Sequence, residues 1–132
     1  MREIKGVHHV GIRVRSLEAA RAFYEKLGFR FIVGPVGREP VAIVEHPSGV
    51  NINLILNASN ASESNVLMDV PEKHTGYTHM ALEVGDLDAV QSTLEERGIP
   101  LSGGPVSLPG GTRFLFVRDP DGNVIELHSP GT

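Results

Sequence analysis

The sequence predicts an α+β fold built from two β-α-β-β-β modules. Three observations predict it: an internal repeat, the same order of strand-like and helix-like patterns in each half, and turns rich in glycine and proline between them. The chain has 132 residues, 40% hydrophobic and 21% charged, which is typical of one globular domain with a core. We therefore expect a single domain over residues 1–132. Its modules are residues 1–57 and 77–132, joined by a polar linker at residues 58–76.

The internal repeat covers much of both halves. Residues 9–20 lie over residues 79–90 without a gap. After an insertion of three residues in the second half, residues 46–49 lie over residues 119–122. Repeats of this length are typical of duplicated supersecondary units that bury their apolar faces against each other.

The first half begins with a strand at residues 7–14, where apolar and polar residues alternate. A helix follows over residues 16–27, with Ser16 as its N-cap and Gly28 placed to end it. Three further strands are predicted, at residues 29–33, 41–45 and 50–56. Turns are expected between them, at residues 34–35 and 46–49.

The second half repeats this order. It has a strand at residues 77–84 and a helix from about residue 87 to residue 97. Three strands then follow, a short one near Leu101 and two more at residues 113–117 and 124–128. The linker between the halves starts with small polar residues, so it is given no secondary structure. Phe23, Tyr24 and Phe29 are assigned to the core.

Charge and composition limit the partners. The net charge of −4 lacks the basic surface that binding to phosphates needs, so nucleic acid and anionic membranes are not expected partners. The chain has no cysteine, which excludes disulfides and thiolate metal sites. It also shows no apolar run near the ~18 residues of a membrane span and no signal sequence. A cytoplasmic protein with a small-molecule substrate is expected.

The sequence resembles the vicinal oxygen chelate superfamily, which includes glyoxalase I, bleomycin- and fosfomycin-resistance proteins and extradiol dioxygenases. The resemblance is carried, in order, by residues 9–14, 23–29, 76–82 and 119–127. It implies that the paired modules form a cupped mixed sheet with one divalent metal ion, Zn, Ni, Mn or Fe(II), on its inner face. A homodimer is also expected. Modules from different subunits can pair in this superfamily, so the site could form within one chain or between two.

The parity of side chains along the strands tests which residues could converge. Residues at i and i+2 share a face, so His9 and Arg13 are predicted to point one way and His8 the other. The same rule places Glu126 and His128 on one face. The repeat relates His9 to His79.

The repeat also places Asn53 over Glu126, so four positions are related: His9, Asn53, His79 and Glu126. In the superfamily these match the positions of the metal ligands, where the place held by Asn53 is often Glu or Gln. Two imidazoles and one carboxylate suffice for a facial triad with open positions. The predicted metal ligands are therefore His9, His79 and Glu126.

Roles other than metal binding are predicted for further polar residues. Arg13 is predicted to bind substrate, because an inward-pointing Arg is costly unless paired with an anion; the alternative is an ion pair with Glu83. Asn53 is also assigned to substrate binding, and could instead add a neutral oxygen ligand or leave water there. Residues 119–122 are interpreted as a turn without a ligand role. His46 and His74 are placed in a turn and a loop, and His128 beside the metal ligands.

Three classes of function fit this pattern. The first is a metal-dependent, glyoxalase-like lyase or isomerase for a small oxygen-chelating substrate, possibly conjugated to glutathione, with Glu126 as the catalytic base. The second is an Fe(II) extradiol-type dioxygenase or a Mn-dependent fosfomycin thiol transferase. The third is a drug-sequestering protein of the bleomycin-resistance type, against which the retained His and Glu residues argue.

Overall fold

A computed structural model describes residues 1–59 and 64–131 of the chain. The chain divides into two compact units, Met1–Ser62 and Glu63–Thr132. Each unit has the strand and helix order β-α-β-β-β. The predicted α+β class and the order within each module are therefore confirmed.

The first unit contains β1 (Val10–Arg13), α1 (Leu17–Lys26), β2 (Arg30–Val36), β3 (Val41–Glu45) and β4 (Asn51–Ile55). The second unit contains β5 (His79–Glu83), α2 (Leu87–Glu96), β6 (Gly103–Ser107), β7 (Arg113–Arg118) and β8 (Val124–Ser129). Most of these bounds lie within about two residues of those expected from the sequence.

Each unit forms its own four-stranded mixed sheet with the same topology. The strand orders are β1-β4-β3-β2 and β5-β8-β7-β6. In both sheets the first and last strands of the unit pair in parallel, and the remaining pairs are antiparallel. The register repeats as well, because Gly11 lies opposite Asn53 as Ala81 lies opposite Glu126. The internal repeat is thus preserved residue by residue.

Each sheet buries one face. In the first unit, Ile52 and Leu54 of β4 are fully buried, whereas the residues that alternate with them, Asn51, Asn53 and Ile55, are only partly buried. In the second unit, Ile125 and Leu127 of β8 are buried, and Glu126 and His128 are partly buried. The alternation leaves the predicted site residues on the more open face of each sheet.

The two helices begin at equivalent N-caps. The side chain of Ser16 accepts a hydrogen bond from the backbone N–H of Ala19, and that of Asp86 accepts one from Ala89, each at 3.2 Å. A cap of this kind contributes about 1 kcal/mol to helix stability. The assignment of Phe23, Tyr24 and Phe29 to the core is also confirmed, because all three are buried.

The turn predicted at residues 34–35 is wrong. Gly34 lies inside β2, at a shift in the register with β3, and the turn follows at residues 37–40. Gly34 has a φ of +136°, and a Cβ there would stand 2.5 Å from the Cα of Ala42. Gly104 repeats this in β6, where a Cβ would stand 2.9 Å from the carbonyl oxygen of Phe114. Glycine is needed at both positions for close strand approach rather than for a chain reversal.

The placement of a strand near Leu101 is also wrong. The strand β6 begins at Gly103, and Leu101 lies outside it. The residues of β6 are Gly-Gly-Pro-Val-Ser, which have low strand propensity. Pairing with β7, rather than local preference, makes this segment a strand.

The predicted linker at residues 58–76 lies partly outside the described residues, at 60–63. Its described second part is tied to the second unit. The Asn65 side chain accepts hydrogen bonds from the backbone N–H groups of Leu67 and Met68, and donates one to the carbonyl oxygen of Gly122. As predicted, residues 64–76 contain no helix or strand. Within residues 1–59 and 64–131, no helix is long and apolar enough to cross a membrane.

Candidate metal centre

Two of the predicted metal ligands meet in the second unit. His79 is the first residue of β5, and Glu126 lies in the middle of the neighbouring strand β8. Both side chains project from the open face of the sheet. The Nε2 atom of His79 lies 3.2 Å from Oε1 of Glu126.

The second carboxylate oxygen of Glu126 has its own partner. Nδ1 of His128 lies 2.7 Å from Oε2 of Glu126. The Glu126 side chain is 13% exposed, compared with 34% for His79 and 36% for His128. The two imidazoles therefore contact different oxygens of one largely buried carboxylate. His128 thus lies beside Glu126, one of the predicted metal ligands.

The ring of His79 is fixed on its other side as well. Its Nδ1 atom lies 2.9 Å from Oγ1 of Thr78. The ring also packs edge-on against Phe116, which lies opposite Glu126 in the register of β7 and β8. Phe114, the next residue on this face of β7, stacks on His128. The rings of His79 and His128 therefore each pack against a phenylalanine ring of β7.

The pair formed by His79 and Glu126 fits a divalent metal ion. Donor atoms 3.2 Å apart, each bonded at about 2.1 Å, would subtend about 100° at one ion, between octahedral and tetrahedral angles. With Oε2 held by His128, Oε1 remains the oxygen for a single metal bond. Among the described residues, no three His, Asp or Glu side chains form a group that could hold a metal. The structure therefore brings two candidate donor atoms together, the Nε2 nitrogen of His79 and the Oε1 oxygen of Glu126.

The third predicted ligand, His9, lies in the first unit immediately before β1. Nδ1 of His8 lies 2.9 Å from Nδ1 of His9, and the two rings meet edge to face. The prediction that His8 points away from His9 is therefore wrong. Strand parity does not govern this pair, because both residues precede the first paired residue of β1, Val10.

The two residues predicted to bind substrate also lie in the first unit. Asn53 sits opposite Gly11, two residues beyond His9, which is the register that Glu126 has relative to His79. Nε of Arg13 donates a hydrogen bond to Oδ1 of Asn57 at 3.0 Å. The hydrogen bond to Asn57 restrains the position of the Arg13 side chain.

The turn predicted at residues 119–122 is confirmed. Asp119 is 4% exposed and accepts hydrogen bonds from the backbone N–H groups of Asp121 and Asn123 and from the Asn123 side chain. Its carboxylate is thus occupied in shaping the turn that leads into β8. His46, also predicted to lie in a turn, accepts a hydrogen bond at Nδ1 from the backbone N–H of Ser48.

An ion pair anchors the segment before β5 to the same sheet. Arg118 donates two hydrogen bonds to Asp69, at 2.6 and 2.8 Å. These bonds lower the pKa of the Asp69 carboxyl from its ordinary value and raise that of Arg118. Both residues keep their charge at neutral pH, so the pair is intact there.

Sequence reasoning missed two partners of the site, Thr78 and Asn57. A signal for Thr78 was present, because the repeat places it over His8, directly before a predicted ligand. Asn57 follows β4 and carries no pattern of its own. Its contact with Arg13 depends on the parallel pairing of β1 with β4.

Comparison with known proteins agrees with this architecture. A family model described as the Glyoxalase/Bleomycin resistance protein/Dioxygenase superfamily matches residues 6–127. The uncharacterized protein YwkD of Bacillus subtilis is 34% identical over 95% of this chain and 97% of its own. The metallothiol transferase FosB of Shouchella clausii is 26% identical over 96% of this chain and 81% of its own. A probable lactoylglutathione lyase of Vibrio cholerae is 40% identical, over 42% of this chain and 41% of its own.

Solved structures share the fold. A glyoxalase family protein from Enterococcus faecalis has a TM-score of 0.75 and 26% identity, covering 94% of this chain and 97% of its own. The match extends over both units of the chain. The predicted fold class is therefore confirmed.

Proposed function

Because the chain belongs to the Glyoxalase/Bleomycin resistance protein/Dioxygenase superfamily, we propose that it is a metal-dependent lyase or isomerase of the glyoxalase type. It acts on a small substrate with two neighbouring oxygens, possibly a glutathione conjugate. The observation that carries the proposal is the contact of 3.2 Å between His79 Nε2 and Glu126 Oε1. His79, Glu126 and His9 are the proposed ligands of one divalent ion, Zn, Ni, Mn or Fe(II).

The donor atoms of His79, Glu126 and His9 support the proposal of a divalent metal ion. Imidazole nitrogen and carboxylate oxygen are ligands shared by these four metals, and the chain has no cysteine to offer thiolate. His9 enters the set through the repeat, since it holds in the first module the position that His79 holds in the second. A bound divalent ion would supply a Lewis acid that stabilises negative charge on the substrate oxygens.

Glu126 is the proposed base. It removes a proton from the carbon next to the substrate carbonyl and returns it to the neighbouring carbon. The hydrogen bond from His128 to Oε2 fixes the plane of the carboxylate.

Residues of the first unit are proposed to bind the substrate. Arg13 offers a guanidinium to a carboxylate of the substrate, and its hydrogen bond with Asn57 restrains its side chain. Asn53 offers a neutral amide at the position equivalent to Glu126. The two modules therefore differ at their matched positions by one carboxylate, so Glu126 carries the proton transfer alone.

The test is a solvent-exchange assay. The Zn, Ni, Mn and Fe(II) forms are each incubated with a glutathione hemithioacetal in deuterated buffer, and both product and deuterium incorporation are measured. We expect product from at least one metal form, and deuterium at the carbon beside the carbonyl. Absence of both from all four forms would contradict the proposed reaction.

A thiol transferase is the second candidate. The substitution of a neutral amide at Asn53 leaves one carboxylate among the four related positions, which suits activation of an electrophile better than proton transfer by two bases. The relative FosB, named a metallothiol transferase, covers nearly the whole chain. Thiol addition to fosfomycin by the Mn form, with no turnover of the hemithioacetal, would favour this candidate.

A further inference from the structure

Both histidines proposed as ligands have a hydrogen-bond partner in the residue directly before them. Thr78 Oγ1 lies 2.9 Å from Nδ1 of His79, and His8 Nδ1 lies 2.9 Å from Nδ1 of His9. Thr78 and His8 occupy equivalent places in the repeat. The two side chains differ in shape, yet each can either donate or accept a hydrogen bond.

This shared property matters because of what surrounds His79. Its Nε2 atom faces the Glu126 carboxylate, which when ionised can only accept hydrogen bonds. A neutral His79 ring therefore carries its proton on Nε2, and Nδ1 must accept. The Thr78 hydroxyl is then the donor.

Metal binding requires the opposite arrangement. A ligand atom needs a free lone pair, so Nε2 must lose its proton and Nδ1 must carry one. The Nδ1–H group then needs an acceptor. Rotation of the Thr78 hydroxyl hydrogen supplies it at the same oxygen position.

We propose that Thr78 is a positioning residue that lets His79 exchange its tautomer when a metal ion binds. The hydroxyl donates to Nδ1 in the metal-free protein and accepts from Nδ1 in the loaded protein. This inference rests on the metal site of the proposed function.

His46 provides a comparison, because its Nδ1 atom contacts a backbone group that can only donate a hydrogen bond. Its Nδ1 accepts a hydrogen bond at 3.0 Å from the backbone N–H of Ser48, a group that can only donate. A neutral His46 ring is therefore expected to carry its proton on Nε2, because the backbone N–H cannot accept a hydrogen bond, although the Ser48 hydroxyl also lies 2.8 Å from Nδ1. It provides an internal reference within the same chain.

The experiment uses protein labelled with nitrogen-15 in its histidines, with and without Zn²⁺. Nitrogen chemical shifts report which ring atom carries the proton, and competition with a chelator gives Zn²⁺ affinity. We expect the His79 proton to move from Nε2 to Nδ1 on Zn²⁺ addition, while His46 does not change. Thr78→Val, which removes the hydroxyl but keeps the shape, should weaken Zn²⁺ binding about 10- to 100-fold. Thr78→Ser should restore it.

The matched control is Ser48→Ala, which removes a hydroxyl 2.8 Å from a histidine Nδ1 outside the site. It should leave Zn²⁺ affinity at the parent value. Equal affinity of Thr78→Val and the parent, or a His79 proton on the same nitrogen with and without Zn²⁺, would overturn the role of Thr78 alone. A parent protein that binds no Zn²⁺, Ni²⁺, Mn²⁺ or Fe²⁺ would overturn the proposed function and this inference together.

Discussion

His79 Nε2 lies 3.2 Å from Glu126 Oε1, across the parallel pair formed by β5 and β8. The first unit has the same pairing between β1 and β4, with Asn53 at the place of Glu126. The two modules thus present the same pair of positions with different chemistry. One offers imidazole and carboxylate, and the other offers imidazole and amide.

Replacing His79 by Ala should remove one metal ligand without unfolding the chain. The His79 side chain is 34% exposed, so its loss leaves no buried cavity. We expect Zn²⁺ affinity to fall at least about 100-fold, with an unchanged far-ultraviolet spectrum. His74→Ala, which changes a loop histidine, is the control. Zn²⁺ binding by His79→Ala as tight as that of the parent would show that the ligand assignment is wrong.

Asn53→Glu should tighten metal binding. It adds a charged oxygen donor at the position equivalent to Glu126, and carboxylates bind these divalent ions better than amides. Asn51→Glu places the same charge two residues away on the same face, so it controls for general attraction. Calorimetric titration with Mn²⁺ and Zn²⁺ measures both variants. Equal affinities for the two variants would exclude Asn53 from the site.

His128 should matter through its hydrogen bond to Glu126. His128→Leu leaves Oε2 of a largely buried carboxylate without its partner, which costs about 1–3 kcal/mol. His128→Asn keeps a side-chain donor close to the position of Nδ1, so it should recover part of the loss. Chemical denaturation of both variants measures the free energy of unfolding. A His128→Leu protein as stable as the parent would contradict this account.

The pair of Asp69 and Arg118 should make part of the stability acid-sensitive. Its hydrogen bonds lower the pKa of Asp69 from its ordinary value of 3.8. A carboxyl with a lowered folded-state pKa stabilises the fold above its unfolded value, and that contribution is lost as pH falls through the folded-state pKa. The free energy of unfolding should therefore fall more steeply below pH 3.8 in the parent than in Asp69→Asn. Equal slopes in urea titrations would contradict the pairing.

Local features and the repeat predicted most of the fold. The N-cap at Ser16 and the strand at Val41–Glu45 are set by neighbouring residues, and the structure shows both. The match of Asn53 to Glu126 followed from the repeat and is preserved in the register. Short-range chemistry and duplication were sufficient for these elements.

Features that depend on partners distant in the chain were not predicted. Gly34 was interpreted as a turn residue, because its role is set by the approach of Ala42 on the neighbouring strand. The contact of Arg118 with Asp69 joins residues far apart in sequence, and no local sequence pattern predicts it. Within the candidate site, the meeting of His79 with Glu126 was predicted, whereas the contact of His8 with His9 was not.

Glu126 is proposed to serve both as metal ligand and as base. Glu126→Gln keeps an oxygen donor of the same length but removes the basicity of the side chain. The direct measurement compares this variant with the parent, loaded with the same metal, for Zn²⁺ affinity and for deuterium exchange into a glutathione hemithioacetal. We expect affinity within about 10-fold of the parent and exchange lower by at least about 100-fold. Exchange at the parent rate by the loaded Glu126→Gln protein would contradict the account.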